Sequence, residues 1–345
     1  MCIGQQNFTM KKIIFVFGLF FVINTNAQFV GTPYIVPDTR PILDQVSATP
    51  SFAFSTRKLR SAYIGFALRI RRSVDNAQAD VAFDINNVVS DNSTVTVAVA
   101  GGGLSVGNTL TLASFRSGST LFVTIWYDQG ANGFHGTQNT TARQAVFSLN
   151  VIGSSNQYAS LVFTGTSKHN VTVNQTLPVL LGSGLRGSVM MIGNVQNGVT
   201  TNNSFGYSDI SDNNIRWSTH MNWPDGTNQM YTDLGSSTDA ARSFLNDGTV
   251  GLGKNKQYTI IRATSSKIVR VSGIDRNNTT LSITSRTWSA GSTFGVGLTS
   301  GSLDTGFNQN GFTGNIPEFI LFPEPLTTGQ YGVIENNQIL FWGAY

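Results

Sequence analysis

The chain has 345 residues, of which 40% are hydrophobic and 12% charged, with a formal net charge of +4. A charged fraction about half the roughly 25% of an ordinary soluble domain excludes the dense Lys/Arg surface of a nucleic-acid binder. The hydrophobic fraction, beside so small a net charge, excludes disorder. Glutamate occurs three times, as Glu318, Glu324 and Glu335 near the C-terminus, which excludes a helical bundle built on Ala, Glu, Lys and Leu. Ser, Thr, Asn, Gln and Gly must cover the surface, which suits an extracellular β-rich protein.

Lys11 and Lys12 precede an apolar run over 13–23 that ends at Asn24-Thr25-Asn26-Ala27. A basic segment, a short apolar segment and a small residue predict a secretory signal over 1–27, with the start at Met10 and cleavage between Ala27 and Gln28. The run is too short to span a bilayer, and no later stretch is apolar enough. The protein is therefore expected to be secreted, periplasmic or on the cell surface. The only cysteine, Cys2, lies upstream of this signal. The mature chain is expected to lack disulfides, Cys-bound metal and a Cys nucleophile.

Residues 28–56 hold four of the nine prolines, Pro33, Pro37, Pro41 and Pro50, and read as an extended leader, either a linker or an edge strand. Strand patterns follow. Phe66, Leu68 and Ile70 alternate with Ala67, Arg69 and Arg71, and Val95, Val97 and Val99 alternate with polar or small neighbours. Residues 121–127 read LFVTIWY, a buried strand. Further strands are predicted over 161–164, 188–193, 258–263, 268–272, 280–284 and 316–322, with turn residues between them. One helix is predicted over 327–341, after Pro325, with Tyr331, Ile334, Gln338 and Phe341 on one side. The reading is all-β: one jelly-roll β-sandwich over 57–345 with a short C-terminal helix.

Four stretches carry a family resemblance: 56–82 (TRKLRSAYIGFALRIRRSVDNAQADVA), 123–138 (VTIWYDQGANGFHGTQ), 220–235 (HMNWPDGTNQMYTDLG) and 314–326 (GNIPEFILFPEPL). The first two resemble the catalytic domain of α-L-arabinofuranosidase B. The last two resemble the wider concanavalin A-like lectin/glucanase group, the LamG-type jelly rolls. The resemblance implies two curved antiparallel sheets, with ligands on the concave face or its rim loops. In the arabinofuranosidase family the nucleophile is a Glu after an aromatic-Asp-Tyr-Gly-Asn type stretch, and the acid is an Asp after Gly-Ile-Gly-Gly. Here the corresponding text is Phe205-Gly206-Tyr207-Ser208-Asp209-Ile210-Ser211, without Glu, and Gly295-Val296-Gly297-Leu298-Thr299, with Thr299 in the acid's place. The family's paired cysteines are absent too. These departures imply that hydrolysis is lost. Asp209 and Asp304, or Asp212 and Asp304, are the weaker candidates for a surviving carboxylate pair.

The densest set of candidate binding residues lies between Tyr207 and Asp233. Tyr207, Asp209, Trp217, His220, Asn222, Trp223 and Asp225 supply aromatic platforms and amide or carboxylate partners, as sugar rings and hydroxyls require. The alternative is that Trp223-Pro224-Asp225-Gly226 is a hairpin turn and both Trp residues are core. The segment Trp126–Gly133 reads as a structural corner, with Asp128 and Asn132 bonding to nearby backbone. Arg57, Lys58, Arg60, Arg69, Arg71 and Arg72 read as a solvated strand face rather than an anion site. Three scattered His and no mature Cys argue against a zinc site. A Ca²⁺ site of carboxylate and carbonyl oxygens fits the composition, but no spacing identifies one.

Three functions are weighed. The leading one is a non-catalytic, lectin-like protein binding a neutral polysaccharide or glycan. The others are a structural subunit of a homo-oligomeric or surface assembly, and an arabinofuranosidase-like retaining glycosidase. No cofactor is expected.

Overall fold

A computed structural model of the chain describes residues 40–155, 157–196, 203–209, 215–223, 229–236, 242–245, 252–280, 292–301 and 311–345. The signal segment, Cys2, Asp212, Asp225 and Asp304 lie outside the described residues. Residues 39–345 form one compact unit.

Alternating and β-branched runs dominate the chain, and they become strands. Those among the described residues are β1 (Phe52–Ser55), β2 (Leu68–Arg72), β3 (Gln78–Val81), β4 (Thr94–Val99), β5 (Thr109–Thr111), β6 (Leu121–Trp126), β7 (Gly136–Thr137), β8 (Val146–Ile152), β9 (Tyr158–Phe163), β10 (Val171–Val173), β11 (Gly187–Val195), β12 (Ser204–Ser208), β13 (Ile215–His220), β14 (Met230–Ser236), β15 (Arg242–Leu245), β16 (Asn255–Arg262), β17 (Ser266–Val271), β18 (Ile274–Thr280), β19 (Phe294–Val296) and β20 (Gly314–Phe322). The named pairings are antiparallel. One sheet runs β1-β20-β11-β16-β17-β18. The other runs β15-β14-β13-β12-β19-β10-β7-β6-β2-β3-β4-β5. At one edge β8 and β9 carry the pairing from β6 to β20. This is the jelly-roll β-sandwich read from the sequence.

Aromatic rings fill the space between the sheets. Phe52 meets Phe294 with centroids 5.6 Å apart, Phe205 meets Phe319 at 5.1 Å, and Phe54 stacks on Trp126 at 5.2 Å. Period two along β20 sends Phe319 and Leu321 into this core. It sends Ile320 and Phe322 to the opposite face, where Met190, Ile261, Tyr331 and Ile334 meet them. That second layer seats the C-terminal helix, Thr328–Trp342, which starts at a Thr327/Gln330 capping box and ends at Gly343 in the left-handed region.

Glu318 lies in the same outer layer and is fully buried. Its carboxylate accepts from Arg57 Nε at 2.7 Å and Arg57 Nη2 at 3.0 Å, Ser55 Oγ at 2.9 Å, Gln338 Nε2 at 3.0 Å and Trp342 Nε1 at 3.2 Å. Burial pushes its pKa up, but the Arg57 charge and the hydrogen bonds outweigh burial and hold it below the ordinary value.

Of the two readings of the Pro-rich stretch, its last residues take the edge strand, so the sandwich begins before residue 57. From within the Pro-rich stretch, β1 pairs with β20 through all four of its residues, and Phe52 and Phe54 lie in the core. The alternating text Phe52-Ala53-Phe54 was strand signal hidden among prolines. The basic run, in turn, is not a solvated face. Arg57, Arg71 and Arg72 are buried. Arg57 pairs with Glu318, Arg69 with Asp80, and Arg72 with Asp75. The acids that neutralise the first two come from other strands, so the run looks unpaired only along the chain.

The corner after β6 locks β1 from its other side. Asp128 Oδ1 accepts from Ala53 N and Gly130 N, both at 2.7 Å, and Oδ2 accepts from Phe134 N at 3.0 Å. The Gln129 side chain takes Leu59 N at 2.7 Å and donates to Arg57 O at 2.9 Å. Asn132 donates to Ser51 O at 2.9 Å. Asp128's pKa is raised by burial, against the pull of these amides.

Two outcomes are expected in denaturation experiments. Glu318→Gln strands a buried guanidinium and lowers stability by about 3–5 kcal/mol. Asp128→Ala lowers it by about 1.5–3 kcal/mol, the worth of hydrogen bonds to a charged group. Because Glu318's folded pKa is depressed, its contribution is full above the ordinary value of 4.5 and drains away as the pH falls through the folded value. Glu318→Gln should therefore have a flatter stability profile below that pH. An equal acid slope in variant and parent would refute this assignment.

Candidate functional site

Strands β12, β13 and β14 form a hairpin pair in which alternate residues divide cleanly. Tyr207, Trp217 and Leu234 are in register and belong to the core, as does Phe205. The opposite face carries Ser204, Gly206 and Ser208 on β12, Arg216, Ser218 and His220 on β13, and Tyr231 and Asp233 on β14. All of these except half-buried Tyr231 are buried, polar or small. Gly206 is required: its φ is +109°, and a Cβ there would come within 2.2 Å of the Trp217 carbonyl.

The polar face has an internal order. Arg216 Nη1 lies 3.3 Å from Asp233 Oδ2. Ser218 Oγ and His220 Nε2 are 3.3 Å apart. The Tyr207 hydroxyl donates to Asp209 Oδ2 at 3.1 Å. Ser204 Oγ lies 2.5 Å from Thr299 Oγ1 and accepts from Thr299 N at 3.1 Å. Gly206 faces Gly295 across the β12–β19 pair, and Ser300 N donates to Gly206 O. The two stretches aligned with the nucleophile and acid segments of the arabinofuranosidase family are thus neighbours in space. Thr299 brings a hydroxyl to that place.

At the end of β13 the chain passes His220, Met221, Asn222 and Trp223. Trp223 N donates to Gln229 O at 2.8 Å. The half-buried Trp223 ring packs edge-on between His220, at 5.5 Å, and Tyr231, at 5.2 Å. The Tyr231 hydroxyl donates to Gln229 Oε1 at 2.6 Å. Asn222 is 1% exposed, and among the described residues both its amide nitrogen and its amide oxygen lack a hydrogen-bond partner. An amide buried with both ends unmet costs free energy.

The structure therefore divides the candidate residues. His220, Asn222 and Trp223 cluster at the hairpin, with Tyr231. Trp217 does not join them: its parity on β13 points it into the core, where it is fully buried, packs 6.0 Å from Phe294 and donates Nε1–H to Leu185 O. Tyr207 shares that inward direction, and Asp209 is tied to it. Ser204, Arg216 and Ser218 were missed by sequence reading, although Arg216-x-Ser218-x-His220 carries the period-two signal. Among the described residues no group of three or more His, Cys, Asp or Glu is placed to hold a metal ion. No helix among them is long and apolar enough to cross a membrane.

No family model and no curated protein matches the chain. Solved structures do match. A GH54 α-L-arabinofuranosidase soaked with 4-nitrophenyl α-L-arabinofuranoside superposes with a TM-score of 0.58 at 13% identity, covering 86% of this chain and 64% of that one. A GH54 α-L-arabinofuranosidase soaked with a cyclic sulfate inhibitor, and an arabinofuranosidase complexed with arabinofuranosyl-α-1,2-xylobiose, give 0.57 at the same identity and coverage. The chain spans less than two thirds of the length of these proteins. At that identity the likeness is one of fold: a concanavalin-like β-sandwich of the kind these glycosidases use.

Two substitutions separate core from site. Trp217→Ala should cost about 3–5 kcal/mol in a urea melt, as for any large core aromatic. Asn222→Leu, of similar volume, should raise stability by about 1–3 kcal/mol, because it removes a buried amide with unmet hydrogen bonds. A destabilised Asn222→Leu would mean that the amide has a structural partner after all.

Proposed function

We propose that the protein is an exported carbohydrate-binding protein that holds a neutral glycan at the β13–β14 hairpin without cleaving it. The observation that carries this reading is the half-buried ring of Trp223 at the end of β13, held between His220 and Tyr231. An indole offers an apolar face to the C–H side of a sugar ring. His220 and Tyr231 frame the indole and fix its angle.

The non-catalytic part of the proposal rests on chemistry. A retaining glycosidase needs two carboxyl groups about 5–5.5 Å apart, one to attack and one to protonate the leaving oxygen. Among the described residues, the carboxylates near the β12–β19 junction are Asp209, which accepts from Tyr207, and Asp233, which faces Arg216. Thr299 stands where the resemblance expects the acid, and a threonine hydroxyl does not protonate a leaving group at neutral pH. The low charge of the chain and the amide-rich hairpin favour a neutral sugar over an anionic one. The signal-like N-terminus supports export.

The test is a glycan array on the mature protein beside an assay with 4-nitrophenyl α-L-arabinofuranoside. Binding of a neutral glycan is expected, weakened about tenfold or more by Trp223→Ala and by Tyr231→Ala, a change of at least about 1.4 kcal/mol. No nitrophenol release is expected at any pH where the protein is folded. Release that disappears in Asp209→Asn or Asp304→Asn would establish a glycosidase instead.

A further inference from the structure

A cavity lies away from the hairpin and shares no residue with it. It is a groove of about 570 Å³ between the loop over 84–92, strand β8 and the end of the C-terminal helix, within the size range of ligand sites. Its floor at one end is an aromatic pair. Tyr158 and Phe341 stack with centroids 4.5 Å apart and planes 19° apart, and both rings are half-buried. The pair is held from behind: Arg57, fixed by Glu318, lies 4.2 Å from the Phe341 centroid, and Trp342 packs edge-on against Tyr158.

The opposite wall is a built loop. Asp84 Oδ1 accepts from Asn86 N at 2.8 Å and Val88 N at 3.2 Å, and Oδ2 accepts from Ser90 Oγ at 2.7 Å. That carboxylate is used in shaping the loop. Val88 and the exposed residues Asn86 and Asn92 of the same loop also line the groove.

The third side is strand β8, where the sheet is interrupted. β6 pairs only with Val146 and Phe147 of β8, so that ladder stops before Ser148. On the other side the register slips between Ser148 and Ile152, which face Ser160 and Tyr158. Asn150, in the middle of this bulge, has φ +54°. Its exposed amide lines the groove. Leu149 also lines a neighbouring cavity of about 380 Å³, which reaches Arg116 and Thr120. Arg116 pairs with Asp91 of the groove at 2.8 Å, so charge is compensated there.

We propose that this groove is a second saccharide site, which takes a neutral polysaccharide chain across β8, with one ring against Tyr158, whose other side is stacked on Phe341, and the following rings beside Asn92 and Asn150. An aromatic floor, amide walls and internally paired charges fit a ligand with apolar ring faces and uncharged hydroxyls. An extended peptide added as a further strand fits less well, because strand addition needs a regular free edge and this one is broken by a bulge.

The experiment is isothermal titration of the full mature chain with arabinohexaose, xylohexaose, cellohexaose and laminarihexaose. It is run on the Trp223→Ala protein, so that hairpin binding is already disabled. One equivalent of at least one hexasaccharide should bind. Leu149→Trp, which enlarges a side chain lining both cavities, should weaken it about tenfold or more. Asn92→Ala and Asn150→Gly, which leave the buried core untouched, should weaken it in the same direction with an unchanged melting curve. They carry the test if Leu149→Trp fails to fold. Flat titrations with all four sugars overturn the proposal, whatever the hairpin does in the parent protein. So does binding unaffected by the groove variants, and so does uptake of an extended Thr-Val hexapeptide in place of the sugars.

Discussion

The fold is organised around one buried carboxylate. Glu318 sits on β20 with no exposure to solvent, and its bonds reach the β1 exit through Ser55 and Arg57 and the helix through Gln338 and Trp342. Taking a carboxylate and a guanidinium out of water is costly, and only close geometry with every polar atom satisfied offsets that cost. Such a cluster is therefore satisfied in one arrangement and in few others. The consequence reaches the surface. Arg57 is the guanidinium that lies over Phe341, so the same charge pair that fixes the helix also sets the aromatic floor of the β8 groove.

A second polar clamp completes the grip on β1. Strand β1 has a paired side along β20, and the corner over 128–132 covers its other side: Ala53 N is held by Asp128 and Ala53 O by Gln129 N. An uncovered strand edge invites pairing with another chain. The described residues contain no cysteine, so no disulfide shares this task. Buried hydrogen-bonded carboxylates do it instead, one from each side of the same strand. The stretch most specific to the family resemblance, Trp126 to His135, is thus a device of folding rather than of binding.

Much of the sandwich was legible because its central strands are buried on both faces. β6, β11, β16 and β20 read as continuous apolar or β-branched text, and the helix declared itself by Pro325, Thr327 and its spaced Tyr331, Ile334 and Gln338. The hairpin strands β12 and β13 were not legible. Their outer face is buried but polar, so Ser204, Gly206, Ser208 and Ser218 read as loop. The same feature misassigned Trp217. Trp217 and Trp223 are a few residues apart and chemically identical, and only the parity of β13 sends one into the core while the other lies beyond the strand's end. Asn222 was a candidate by type alone. What sets it apart, two unmet polar atoms at 1% exposure, emerges only when every hydrogen bond is accounted for. The arginines of the 57–72 run have the same lesson in reverse, since Glu318 and Asp80 reach them through space.

The relation between this fold and sugar cleavage turns on what the β12–β19 junction offers. The backbone there is set for close approach: Gly206 opposite Gly295, with Ser300 N bonded to Gly206 O. The side chains around it are hydroxyls, Ser204 against Thr299, where the resemblance expects a carboxylic acid. Nearby, an Asp233 oxygen faces a guanidinium and an Asp209 oxygen accepts from a phenol. A general acid, in contrast, must donate to the departing oxygen of the substrate. Sugar recognition makes no such demand. It needs rings and polar partners, the chemistry proposed above for the Trp223–Tyr231 corner. The frame itself is held by Glu318 and Asp128, and neither belongs to that junction.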